Sequence, residues 1–171
     1  EITDFGMEHE PECIKKYYEG CATLADMARK AASMEGVDFL SFRMEGGDPN
    51  GANKSTEELI GELKEIADAV DLPLVVCGCK NVEKDAELFS KAAEALNGKN
   101  AVILSAKEEN YKTVGAAAGL AYKQIVGAES AVDINLAKQL NVLISQLGVD
   151  SKSVVMNVGS AAVGYGFEYV I

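Results

Sequence analysis

The chain has 171 residues, a formal charge of −11, nearly half its residues apolar and only three prolines. That acidity argues against nucleic acid or an anionic membrane surface as partner, since both would be repelled, and the composition is that of an ordinary globular domain rather than a disordered or fibrous one. No apolar run approaches the roughly 20 residues of a membrane span, and the acidic opening EITDFGMEHEPE is unlike a signal peptide, so the expectation is a soluble, cytoplasmic protein. Cys13, Cys21, Cys77 and Cys79 fall in predicted helix and strand, which points to reduced thiols rather than a disulfide framework.

In chain order, Cys13 to Met34 reads as a helix ending near Gly36, and Phe39 to Met44 (FLSFRM) as the core of a first strand. Ser55 opens a second helix, with Glu58 three residues on as a capping-box partner. Its stripe of Leu59, Leu63, Ile66 and Val70 has helical spacing. Leu72 to Cys79 (LPLVVCGC) is a second strand, with Pro73 near its start where a missing N–H is tolerated. Glu83 to Leu96 is a helix stopped by Asn97-Gly98. Ala101 to Ala106 is a third strand, Glu109 to Val126 an Ala-rich helix, and Glu129 to Val132 a weak fourth strand. Asp133 caps a helix with the stripe Leu136, Leu140, Leu143 and Leu147, ending at Gly148. Val154 to Val158 is a fifth strand, and Phe167 to Ile171 begins a sixth strand or another helix.

Strands alternating with helices at this spacing predict an α/β fold, a parallel sheet covered by helices. A TIM-type (β/α)8 barrel and an open doubly wound sheet both fit. The absence of a Gly-rich phosphate turn after the first strand favours the barrel. A complete barrel takes roughly 250 residues, so five to six βα units are expected here: one partial barrel domain over 1–171, in which 1–36 is an N-terminal helical segment. Open sheet edges invite aggregation, so the chain is expected to be a segment of a longer protein or to have its edges covered by a partner.

In such barrels the chemistry sits at the carboxyl ends of the strands. That rule selects Gly46 to Gly51, Lys80-Asn81, Lys107 to Asn110, Asp133 to Asn135, and Asn157 to Gly166. Their Asp and Asn side chains suit a polar ligand, yet the same residues are ordinary turn formers and helix caps. The Gly46/Gly47/Gly51 loop and the loop from Gly159 to Gly166 would let a flat ligand approach backbone. Lys107, at the end of a strand, is a candidate for Schiff-base chemistry, opposed by the adjacent Glu108 and Glu109. Cys77 and Cys79 supply half a metal site at most. The single His, His9, lies away from every strand end, which removes histidine-based hydrolase chemistry.

The ordered segments DPNG (Asp48 to Gly51), DLPLVV (Asp71 to Val76), NVEKD (Asn81 to Asp85), EENYK (Glu108 to Lys112), DINLAKQLN (Asp133 to Asn141) and GYGFEY (Gly164 to Tyr169) carry a resemblance. Together they resemble the small subunit of the corrinoid iron–sulfur protein, the family that in archaea is the delta subunit of acetyl-CoA decarbonylase/synthase. The matches run from about Val37 to the last residue. The chain departs from the family's pattern at Cys77 to Asn81 and at Asn157 to Ser160. The resemblance implies a TIM barrel related to pterin-binding methyltransferases, forming a heterodimer with a large subunit that holds an iron–sulfur cluster and a corrinoid (cobalamin). The pair would carry a methyl group from a methyl-pterin, of the tetrahydrofolate or tetrahydromethanopterin type, to acetyl-CoA synthase, with that synthase and a methyltransferase as transient partners. It implies no catalytic residue and no bound metal in this chain, only a pocket wall. The residues expected to face the cofactor are Asp48, Asn50, Gly51, Asn81, Asp133, Asn135, Asn157 and Gly164. A stand-alone pterin-binding methyltransferase using Asp48, Asn50, Asn81, Asp133 and Asn157 is the alternative, and a Schiff-base lyase at Lys107 a more distant one.

Overall fold

The computed structural model describes residues 1–169. Six strands form one sheet: β1 (Ile2–Thr3), β2 (Leu40–Arg43), β3 (Leu74–Cys77), β4 (Val102–Ala106), β5 (Ile125–Glu129) and β6 (Val154–Asn157). Every neighbouring pair is parallel and the spatial order is the chain order, β1 to β6. A doubly wound sheet reverses its order at a switch point; this one does not. It is a singly wound α/β sheet, and β1 and β6 are its two edges.

The helices are α1 (Glu12–Tyr17), α2 (Leu24–Ala32), α3 (Thr56–Ala69), α4 (Val82–Ala95), α5 (Tyr111–Val114, continuing as a wide turn over Gly115–Ala121) and α6 (Ile134–Gln146). Local chemistry starts most of them. Ser55 accepts from the Glu58 amide and Asn81 from the Lys84 amide, while Asp133 accepts from the amides of Asn135 and Leu136. Each supplies an acceptor to orphan N–H groups of a first turn. On α3, Leu59, Leu63 and Ile66 are buried as their spacing predicts.

Strand parity divides the sheet. Phe42, Val76, Ile103 and Val126 lie in one register row and are fully buried against the helices. The next row, Arg43, Cys77, Leu104, Gly127 and Val155, faces the other side. Near the amino-terminal edge, Asp4 accepts from the Gly46 amide and pairs with Lys54, which also pairs with Glu62 at 3.1 Å. This cluster ties β1 to the loop after β2.

Four elements differ from the sequence reading. The helix expected from Cys13 to Met34 is two, broken at Gly20, whose φ of +88° admits no ordinary helical continuation; a reciprocal Thr23–Asp26 capping box restarts it. β1 lies in the segment read as purely N-terminal and helical, and pairs with β2 at Ile2–Phe42 and Thr3–Arg43. The Ala-rich helix stops at Ala121 rather than Val126, so the fourth expected strand starts at Ile125 and ends at Glu129 instead of spanning Glu129 to Val132. Lys123 turns the chain with φ of +55°. Fully buried Gln124 accepts from the Ala101 amide and donates to the Leu96 carbonyl. The stop is therefore a tertiary hydrogen-bonding requirement. Phe167–Tyr169 is a short 3-10 turn, and the last two residues of the Phe167 to Ile171 segment lie outside the described residues.

Candidate functional site

A cleft of about 680 Å³ opens at the carboxyl ends of β2 to β6, where a parallel α/β sheet places its ligands. Each strand contributes to it. At the end of β2, Arg43 makes a two-point contact with Glu1, at 3.1 and 2.8 Å. The guanidinium holds the Glu1 carboxyl below its ordinary range, and Glu1 in turn raises Arg43.

After β3 the chain wraps a buried carboxylate. Asp85 accepts from the Cys79 amide at 2.7 Å, the Lys80 amide at 3.1 Å and the Cys79 thiol at 3.2 Å. Gly78 must be glycine there, because any Cβ would collide with the Asp85 carboxylate. Burial pushes the Asp85 carboxyl up, pushes the Cys79 thiol up to about 11, and raises the Cys77 thiol as well. These are inert thiols, not poised nucleophiles. All four cysteines are free, and among the described residues no cluster of His, Cys, Asp or Glu is placed to hold a metal.

β4 carries a bulge: its register against β5 shifts between Leu104 and Ala106, leaving Ser105 as the extra residue. Gly127 on β5 gives Leu104 the room to lean. Bulges next to binding sites re-aim a side chain, and Ser105 lines the cleft while its hydroxyl accepts from the Asn157 amide at 3.3 Å. Asn157 is itself held by the Gly159 amide, which donates to its Oδ1 at 3.2 Å. Lys107, the residue after β4, faces Glu129 of β5 at 3.6 Å across the cleft. That places it beside a carboxylate in an open cleft, not in the apolar pocket a Schiff-base lysine uses. The loop after β5 is strained: Ala131 and Val132, both lining the cleft, have φ of +46° and +70°. For a β-branched residue that backbone is an outlier. It is held by bonds from the Ser130 and Val132 amides to the carbonyls of Asn157 and Val158.

Of the eight residues expected at the site, Asn157 lines the cleft. Asp48 accepts from the Asn50 backbone and side-chain amides, and the Gly51 amide donates to the Asp48 carbonyl, so DPNG is a closed turn at the rim. Asn81 and Asp133 cap α4 and α6, Asn135 is exposed in the first turn of α6, and Gly164 sits in an exposed turn with φ of +81°. The cleft residues that sequence reasoning passed over are Arg43, Asp85, Ser105 and Glu129. Two left a readable trace: Arg43 and Ser105 are polar interruptions near the carboxyl ends of the apolar runs FLSFRM and AVILSA.

Comparison with known proteins gives a match over the whole length of the chain. The model of the CO dehydrogenase/acetyl-CoA synthase delta subunit matches residues 1–171. The chain belongs to that family. It is 31% identical to the acetyl-CoA decarbonylase/synthase complex subunit delta of Methanothermobacter thermautotrophicus, over all of this chain and 44% of that protein. The subunit delta of Methanopyrus kandleri is 35% identical over 85% of this chain and 36% of its own length. That of Methanocaldococcus jannaschii is 30% identical over all of this chain and 42% of its own length. The chain therefore spans less than half the length of these relatives. The match includes the segment before Val37, to which the motif resemblance did not extend. Among the described residues no helix is long and apolar enough to cross a membrane.

Proposed function

We propose that this chain forms the cofactor-facing wall of a (β/α)8 barrel and takes part in methyl transfer within an acetyl-CoA decarbonylase/synthase complex. One observation supports this most: a polar, open cleft at the carboxyl ends of five parallel strands, in a chain of the delta-subunit family. Its two acidic side chains, Asp85 and Glu129, are both engaged by neighbouring donors, which suits a wall that positions a ligand rather than an acid–base catalyst.

The barrel part of the proposal rests on the sheet. Parallel strands in unbroken chain order are the barrel pattern. At the carboxyl-terminal edge, Val155 and Met156 of β6 are 46% and 54% exposed. Further βα units between β6 and β1 would cover them and close the sheet, in keeping with relatives more than twice as long.

The cofactor is a corrinoid (cobalamin type), held mainly by a large iron–sulfur partner subunit. Bound there, it supplies a cobalt centre that accepts and donates a methyl group. The residues present fit such a group: the cleft is open on one side, and Ser105, Asn157 and Lys107 offer donors to the amide carbonyls around a corrin ring. Asn157 would touch it directly. Asp48, Asn50, Gly51, Asn81, Asp133, Asn135 and Gly164 would contribute by shaping the rim loops. A methyl-pterin is the donor, a methyltransferase and acetyl-CoA synthase are transient partners, and the setting is cytoplasmic. The test is anaerobic size-exclusion chromatography of this chain mixed with a large corrinoid iron–sulfur subunit, followed by absorption. Co-elution with a shifted corrinoid band is expected; a folded, colourless chain eluting alone overturns the proposal.

A further inference from the structure

The cleft's unused hydrogen-bonding capacity is lopsided. Most of its acceptors are engaged, Asp85 by two amides and a thiol and the Asn157 side-chain carbonyl by the Gly159 amide, while Glu129 has only the loose 3.6 Å contact with Lys107. Arg43, a donor, is likewise taken by Glu1. What remains free is donors. Ser105 is only 6% exposed, accepts from Asn157, and its hydroxyl hydrogen finds no acceptor among the described residues. Lys80 has no ion-pair partner among the described residues, and Lys107, an ammonium with three hydrogens, makes one loose contact at 3.6 Å.

The cations are largely matched: Arg43 by Glu1 and Lys107 by Glu129, so among the described residues Lys80 is the lining cation without an ion-pair partner. A buried serine displaced into a cleft by a bulge, and held there by a second side chain, is a built feature, unlike an exposed polar side chain that water satisfies.

We infer that the cleft contains a subsite for an oxyanion, the carboxylate or phosphate group of a small ligand, built from the Ser105 hydroxyl with the Lys80 and Lys107 ammonium groups on the surrounding walls. A neutral carbonyl would satisfy the serine alone; an oxyanion also answers the two ammonium groups, through charge-assisted hydrogen bonds. Asn157 is the positioning residue: its amide donates to Ser105 Oγ and so leaves the hydroxyl hydrogen to point at the ligand.

This subsite shares the cleft with the corrinoid proposal but is read without any corrinoid. The experiment is a titration of the chain with inorganic phosphate and, separately, with acetate, at ionic strength held constant with chloride and followed by amide chemical shifts. Saturable shifts at Ser105 and Lys107 are expected for at least one of the two anions, and which one saturates names the group. Lys80→Met, on an exposed side chain, and Ser105→Ala should each weaken that binding about tenfold, the size of one charge-assisted hydrogen bond. Lys64→Met, on the outer face of α3, should leave it unchanged. A flat titration with both anions, or equal weakening by all three variants, overturns the inference. A flat titration alongside a coloured complex would sink this subsite and leave the corrinoid proposal standing; saturable binding with a colourless complex would do the reverse.

Discussion

The two halves of the sheet are built differently. From β2 to β4, the long capped helices α3 and α4 cover the sheet, and the register row of Phe42, Val76 and Ile103 is buried in one core with Leu59, Leu63, Leu88 and Phe89. From β5 to β6, the capped helix α6 buries Leu140 and Ile144, but the wide turn over Gly115–Ala121, the left-handed Ala131 and Val132 and an exposed β6 leave this half with fewer large buried side chains. Burial of large side chains stabilises both halves, more of it in the first, and the second adds backbone hydrogen bonds between the loops after β5 and β6. Stability should therefore concentrate in β2 to β4, while the strained backbone of Ala131 and Val132 forms one side of the cleft.

Core truncation offers the sharpest way to break that comparison. Leu63→Ala, on the sealed side, should cost about 2–5 kcal/mol, whereas Val155→Ala on β6 should cost about 0.5 kcal/mol or less. Urea unfolding of both variants decides it; equal losses would mean that β6 is covered in solution. Next in size is Asp85→Ala, which strips the acceptor from two backbone amides of the loop after β3. It should cost about 1–3 kcal/mol, and amide exchange should accelerate at Cys79 and Lys80 while α6 keeps its protection.

A smaller effect, of opposite sign, is expected in the other half. Val132→Gly relieves a left-handed β-branched residue and should raise stability by up to about 1 kcal/mol, read as a higher midpoint of thermal unfolding. A loss of stability would show that the Val132 side chain contributes more than its backbone costs.

The smallest effect is one of pH. Burial pushes the Glu62 carboxyl above its ordinary value of 4.5, and its Oε2 has no hydrogen-bond partner among the described residues. The folded chain then holds more protons than the unfolded one between 4.5 and the raised value, so this group's contribution to stability falls as pH rises through that window. Glu62→Gln should flatten that part of the stability–pH curve. An unchanged slope would place the titration elsewhere.

The residues themselves carried a good deal. Apolar runs and helical stripes are local, short-range signals, and they marked four of the six strands and the starts of α3, α4 and α6 with little error. Caps at Ser55, Asn81 and Asp133 are likewise decided within a turn of the chain, and six ordered motifs pointed to a family whose model matches the whole chain. Family patterning survives because motif order is linear information.

Tertiary structure decided what depends on partners far along the chain. β1 is two residues long and exists only because β2 offers it a ladder. The Ala-rich helix has no local stop; it ends where Gln124 must reach Ala101 and Leu96. The make-up of the cleft was decided the same way. Ser105 meets Asn157 across 52 positions, and Arg43 meets Glu1 across 42. Asp48, Asn81 and Asp133 look like ligand groups in the sequence but spend their oxygens on their own loops. A carboxylate or amide satisfies its nearest N–H groups first, and the sequence does not record which acceptors the fold leaves in need of a donor, or which donors it leaves free.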